Sequence, residues 1–288
     1  MFERLKNGWR LAKATRKLVF KDRSLLKFPI IAFVVSIIEM IAIFIPIFFI
    51  SLSSSSAVSE VLIIISLLAF YILVTFTSTY IIMAMFISFR SFLLGKKISF
   101  GSAFSQVKPY WKLILEWSAF LSVIIMVLRI IESRLGSLGR ILNLISSMAI
   151  SLATLFVVPV ILDNKLTPIA AMKRSTKFII DHFGATFGGL VYTDLYSLAI
   201  VFGGLALLIG GLALISISLV FGAVVALAGF IIMIGGGMLL YLLSNIFRLI
   251  LYDFANYNKV PPGFSANLLQ SSIKNKKSGI SGFVPGQI

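Results

Sequence analysis

The sequence predicts an all-α polytopic membrane protein: a helical bundle of six transmembrane helices with basic amphipathic helices along one face. Three observations carry this. Of the 288 residues 59% are hydrophobic and only 12% are charged, where soluble domains carry about 45–50% and about 25%. The mean hydropathy is +1.05, and runs long enough for a hydrocarbon core of roughly 30 Å recur along the chain. Lys and Arg, finally, gather in alternate loops, the positive-inside pattern.

The net charge of +16 would point to nucleic acid in a soluble protein. Here the cations flank apolar runs, so anionic lipid headgroups are the expected partner and nucleic acid is not. The chain has no cysteine, which excludes disulfides, thiolate metal sites, a catalytic Cys and S-acylation. His182 is the one histidine, so a His-built metal site is excluded too, and no cofactor is expected. The first apolar run starts only at Phe28 and is too long for a signal-peptide core, so a cleaved leader is not expected.

Residues 1–27 read as a basic amphipathic helix. Phe2, Leu5, Trp9, Ala12 and Val19 form an apolar stripe beside Lys6, Arg10, Lys17 and Lys21, a composition suited to anionic headgroups. The first span is 28–50, with Glu39 near its middle and Pro46 in its second half. The linker 51–60 has four serines at 53–56 and no Lys or Arg, and reads as external. The second span, 61–89, is longer than a crossing needs and carries a polar patch of Thr75, Thr77, Ser78 and Tyr80. Residues 90–112 return to the cytoplasm, and 99–107 form a short amphipathic helix with Phe100, Phe104, Val107 and then Trp111 on one face. The third span is 111–131, containing Glu116. A short external link follows at 132–140, and the fourth span is 141–162.

The stretch 158–184 shows the recurring pattern best. An apolar run at 159–162 gives way to Asp163-Asn164-Lys165. A helix then starts with Thr167 as N-cap and Pro168 at its first position, where a missing N–H costs nothing. Ile169, Met172, Thr176, Ile179 and Phe183 fall on one face, with Lys173, Arg174, Lys177 and Asp181 on the other. A basic amphipathic helix leading into a pair of spans thus occurs three times.

Residues 186–252 are nearly all apolar and read as two long spans, 186–214 and 221–252, with a turn near 215–221. Glycines recur every seven residues at Gly203/Gly210, Gly204/Gly211 and Gly222/Gly229/Gly236. Such stripes let helix backbones approach closely, within the chain or in a homo- or hetero-oligomer, and a bend is expected at 235–237. Of the 26 Lys and Arg, only Arg129, Arg134 and Arg140 fall on the other side of this arrangement. Both termini are therefore expected in the cytoplasm of a cell-membrane protein, with 1–258 forming one membrane domain and 259–288 a flexible tail.

The opening FERLKNGWRLAKATRKLVFKDRSLLKFPI, the phrase VVPVILDNKLTPIAAMKRSTKFI at 157–179 and LYDFANYNKVPPGF at 251–264 together resemble a family of uncharacterised prokaryotic six-span membrane proteins. The resemblance attaches to Val158-Pro159-Val160, Asp163, Pro168-Ile169, Lys173-Arg174-Ser175, Tyr252, Pro262 and Phe264. The plan is also similar to the membrane domain attached to some glycerophosphodiester phosphodiesterases, which is not their catalytic part. The resemblance implies topology and brings no catalytic residues.

Glu39 is the sharpest candidate for function. A charge near the bilayer centre costs about 2.5–3.5 kcal/mol on insertion scales, so such residues usually face the bundle interior. The plainer reading is a carboxyl hydrogen-bonded to a Ser or Thr of a neighbouring helix. Asp194 is the second candidate, paired with a basic residue or lining a polar vestibule. Glu116 and Arg129 read as interfacial anchors, and Arg248 with Asp253 as an ordinary ion pair or a snorkelling arginine. The enzyme motifs G-x-x-x-x-G-K-[ST], G-x-S-x-G and H-E-x-x-H are absent from the sequence, so no enzyme activity is expected. Two readings follow: a membrane scaffold or lipid-interacting protein, or a small transporter or channel using Glu39 and Asp194.

Overall fold

A few capping and turn residues decide where this apolar chain reverses. The computed structural model describes residues 2–53, 57–182, 188–264 and 269. Within them the helices are α1 (Phe2–Val19), α2 (Lys27–Ser53), α3 (Ala57–Leu93), α4 (Phe100–Val107), α5 (Trp111–Ala153), α6 (Val157–Asn164), α7 (Pro168–His182), α8 (Gly188–Leu214) and α9 (Leu219–Tyr257). The Asp22 side chain accepts from the Ser24 N–H at 3.0 Å and turns α1 into α2 through a 3-10 turn at Arg23–Leu26. Ser99 caps α4 in the same way, accepting from the Ser102 N–H at 3.2 Å. The Thr167 carbonyl takes the first bond of α7 from Ala171, at 2.8 Å. Ser218 caps α9, which puts the last turn at 215–218, within the expected stretch.

Among the described residues six helical stretches are long and apolar enough to cross a membrane: Arg23–Phe49, Val61–Leu93, Phe100–Gly136, Leu138–Asn164, Asp194–Leu214 and Leu219–Tyr257. Large apolar side chains such as Ile38, Phe44, Phe49, Phe202 and Ile231 stay exposed on them, as a lipid-facing surface requires. Several expected boundaries shift. The expected external link at 132–140 is helical, and the chain reverses at Gly136, whose φ of 56° only glycine adopts freely. The fourth span is not one helix: it breaks at 154–156, between α5 and α6. Part of the expected flexible tail is packed, since Pro261 and Leu269 are buried. Residues 54–56 of the serine linker, 183–187 (Phe183 and the start of the fifth span) and 265–268 and 270–288 of the tail lie outside the described residues. Helix α9 continues through Gly235–Gly237, where a bend was expected.

The short amphipathic helices α1, α4 and α7 each lie against protein. Leu11, Thr15, Leu18 and Val19 of α1 are buried where it packs on α8 and α9; of the expected stripe only the Val19 side chain lies within the described ones. In α7 the buried positions are Ala171, Ser175, Phe178 and Ile179, while Ile169 is exposed. In α4 the expected face holds for Phe100 and Phe104, which stack on Phe28 at 4.8 and 5.9 Å between ring centroids, whereas Trp111 is exposed. Helix α4 packs on α3, α7 on α5 and α6, and α1 on α8 and α9. Each short helix thus sits on the hairpin before it, and the first sits on the last.

The glycine stripes select one pairing. A Cβ on Gly204 would lie 2.8 Å from the Gly229 carbonyl oxygen, and one on Gly229 would lie 2.8 Å from that of Gly204. Gly222 meets the Gly211 carbonyl at the same distance, and Gly236 meets Val201. Gly203 and Gly210 have nothing within 4 Å and face outward. Only the Gly204/Gly211 row of α8 is used against α9.

Candidate functional site

The ends of three helices, α3, α6 and α9, carry the main charge cluster. Arg90 on α3 spreads its guanidinium between two carboxylates. Its Nη1 and Nη2 donate to Asp163 of α6 at 2.5 and 3.0 Å, and its Nε and Nη2 donate to Asp253 of α9 at 3.1 and 2.5 Å. Both forks are therefore bidentate, the geometry a planar guanidinium favours and a lysine cannot copy. The Tyr257 hydroxyl donates to Asp163 at 2.8 Å. Side-chain exposures of 24, 12 and 7% for Arg90, Asp163 and Asp253 make this a largely desolvated latch. The expected Arg248–Asp253 pair does not form, because Arg90 takes Asp253.

One turn further into the bundle a cavity of about 260 Å³ opens between α3, α5, α6 and α9. Phe86, one turn before Arg90, and Pro159, one turn before Asp163, are on its wall. Its polar lining is Thr75, Ser78, Thr79, Thr154, Asn245 and Arg248. The Nε–H of Arg248 is buried and has no hydrogen-bond partner, as are the hydroxyls of Tyr241, one turn before Asn245 on α9, and Ser122, next to the lining residue Leu121. Buried donors are normally satisfied by protein, water or a ligand, and these three have no protein partner. Asp194 on α8 acts on Arg248 through space, but its hydrogen bond comes from the Ser244 hydroxyl.

The break at 154–156 belongs to this site. Thr154 and Leu155 line the cavity, and the freed Phe156 N–H donates to the buried Ser175 hydroxyl of α7 at 3.1 Å. Non-helical backbone at membrane depth persists only where protein buries it or a polar cavity receives it, and both hold here. Phe156, Phe178 and Tyr252 pack as an aromatic cluster below the break, with centroids 4.9 to 6.3 Å apart. A second groove of about 340 Å³ runs between the arms of α5 and shares Leu121 and Thr154 with the first cavity; Arg129, Asn143, Ser147 and Ser151 supply its polar wall.

The residues expected from sequence are distributed differently. Glu39 is 5% exposed and accepts from the Thr77 hydroxyl of α3 at 2.6 Å, the plainer of its two readings, and it lines neither void. Its partners and those of Asp194 are separate, so the structure does not bring the two together by hydrogen bonding. Glu116 is exposed. Arg129 is also exposed, lies 5.5 Å from the Tyr71 ring centroid and lines the α5 groove. Arg10, Lys17, Lys21, Lys173, Arg174 and Lys177 are exposed, and the Lys6 side chain lies outside the described residues. No group of three or more potential metal ligands occurs among the described residues. The second span's polar patch splits between two jobs: Thr77 serves Glu39 and the Tyr80 hydroxyl donates to the Phe104 carbonyl at 3.1 Å, while Thr75 and Ser78 face the cavity.

Residues 56–261 match a family of unknown function (DUF6159). The chain belongs to that family. The match takes in α3 to α9, hence the latch, the cavity and the broken helix, and leaves out α1 and α2 with Glu39. No curated protein and no solved structure matches the chain, so the likeness to the glycerophosphodiester phosphodiesterase membrane domain has no match behind it. The phrase at 157–179, quoted for its family resemblance, supplies Pro159 to the cavity, Asp163 to the latch and Ser175 to the break.

Proposed function

We propose that this chain is a small-solute transporter of the cell membrane, with its solute site in the cavity between α3, α5, α6 and α9. The observation that supports this most is Arg248, an arginine inside the bundle that lines the cavity and whose Nε–H is buried without a protein partner. Intramembrane ionisable residues are costly and mark solute or ion pathways. A discontinuous helix beside the site adds weight, because transporters bind at such breaks. In this reading the Arg90–Asp163–Asp253 latch closes the basic end, and release of solute requires its two forks to part. Both termini lie in the cytoplasm on the strength of the Lys and Arg distribution. No covalent chemistry is assigned to the chain.

A second reading keeps the protein as a lipid-interacting scaffold. Exposed Lys173, Arg174 and Lys177 beside exposed Ile169 and Ile180 on α7 favour contact with anionic headgroups. Uptake into proteoliposomes separates the two. With a panel of radiolabelled small organic anions, cations and neutral solutes, the transport reading expects saturable uptake of at least one. Arg248→Ala should abolish it and Glu39→Gln should preserve it. Uptake no faster than into protein-free vesicles would sink the transport reading and leave the scaffold, and loss with Glu39→Gln but not with Arg248→Ala would sink the solute site at Arg248.

A further inference from the structure

We infer that the cavity at Arg248 takes a small organic monoanion, one carboxylate or phosphate-type headgroup on a short apolar body. This names the solute of the transport reading and rests on it. The charge follows from the walls: Arg248 lines the cavity and no Asp or Glu does, so a cationic solute would find a like charge and no opposite one on the wall. Asp194 offsets Arg248 from α8 but is not on the wall and is engaged by Ser244. An anion in the cavity meets the guanidinium of Arg248 on the wall, and a charge-assisted bond to it is about twice as strong as a neutral one. Asn245, Thr75 and Ser78 stand on the same walls to hold the remaining oxygen atoms.

The single charge and the apolar body follow from the rest of the lining. Val74, Ile82, Phe86, Trp117 and Leu121 face the cavity, and a second charge placed against them would be desolvated without a partner. The latch does not offer an alternative cation, because both forks of Arg90 are taken. Size narrows the class further. About 260 Å³ falls just under the roughly 300–1,000 Å³ of drug-sized pockets, which fits a ring or short chain and not a phospholipid.

Trp117 on the wall gives a binding signal in the full-length protein. Benzoate titrated into detergent-solubilised protein should change tryptophan fluorescence saturably, and a Trp117→Phe variant should lose that change. Benzamide, the neutral isostere, should bind about tenfold more weakly or worse, the loss expected for a missing charge-assisted bond. Phenyl phosphate reports whether the site prefers a phosphate head. Arg248→Gln should weaken benzoate by the same factor, and Arg248→Lys, which keeps the charge, should retain part of the affinity should the Gln variant not fold. Equal binding of benzoate and benzamide, or undiminished benzoate binding in Arg248→Gln, would overturn the inference. Displacement of benzoate by added phosphatidylglycerol would assign the site to a lipid headgroup and also overturn it. Benzoate binding without uptake of any solute overturns the transport reading alone, and uptake of some solute without monoanion binding overturns this inference alone.

Discussion

Helix α9 takes part in two interfaces built on opposite principles. Its first half meets α8 through Gly222, Gly229 and Gly236, where backbone packs on backbone at distances that leave no room for a Cβ. Its second half meets α3, α5 and α6 through Tyr241, Asn245, Arg248 and Asp253, where side chains meet across a cavity and a charge cluster. Lipid offers no hydrophobic drive for helix association, so close van der Waals contact holds the first interface. That contact also excludes water and solute. The second gives up close packing for polar groups, and this is the kind of interface that can open.

The largest effect is expected at the latch. Removing one partner of a buried ion pair costs about 3–5 kcal/mol, and the partial exposure of Arg90 places Arg90→Ala near about 3 kcal/mol. Unfolding in mixed micelles should show it, and Arg90→Lys should rescue little, since an ammonium cannot serve two bidentate forks. Full rescue by lysine would reduce the latch to a point-charge contact. A smaller effect is expected in the glycine interface. Gly229→Ala should destabilise by about 2 kcal/mol, within the range for overpacking, because the added methyl would overlap the Gly204 carbonyl. Gly210→Ala, which meets open space, should be neutral within error in the same assay. Equal responses at the two glycines would remove the distinction between the used and unused stripes.

How much of this was legible in the sequence depended on the range of the signal. The α8–α9 pairing announces itself locally, as glycines seven apart, although only three-dimensional packing could choose Gly204/Gly211 over Gly203/Gly210. Glu39 stood out as a lone acid in an apolar run, and its partner Thr77 lay in a patch already noted. The latch was harder to see, because Arg90, Asp163 and Asp253 are separated by 73 and 163 positions counted from Arg90, and Asp253 has an arginine five residues away as a decoy. A repeat does mark it. Each latch residue ends the second helix of a hairpin and precedes a similar phrase: Lys97-Ile98-Ser99, Lys165-Leu166-Thr167 and Lys259-Val260-Pro261. The break at 154–156 is invisible to hydropathy because the run from 141 to 162 stays apolar across it. Pro159, which fits the first turn of a helix at less cost than its interior, was the available clue, although Pro46 shows that α2 carries a proline without breaking. From sequence Arg248 reads as half of an ordinary ion pair with Asp253 or as a snorkelling residue, because its distance from the helix end says nothing about which neighbours it faces.

The absence of cysteine makes the hydration of the cavity directly measurable. Ser78→Cys places a single thiol on the cavity wall, and Phe44→Cys places one on the exposed outer surface of α2. Vesicles holding either variant can be treated with a charged, water-soluble methanethiosulfonate, which reacts with thiolate in water and not in lipid. A polar cavity serving Arg248 predicts that the thiol at 78 is modified and that the thiol at 44 is not. If the thiol at 78 reacts no faster than the one at 44, the seam between α3, α5, α6 and α9 is sealed packing and Arg248 is structural.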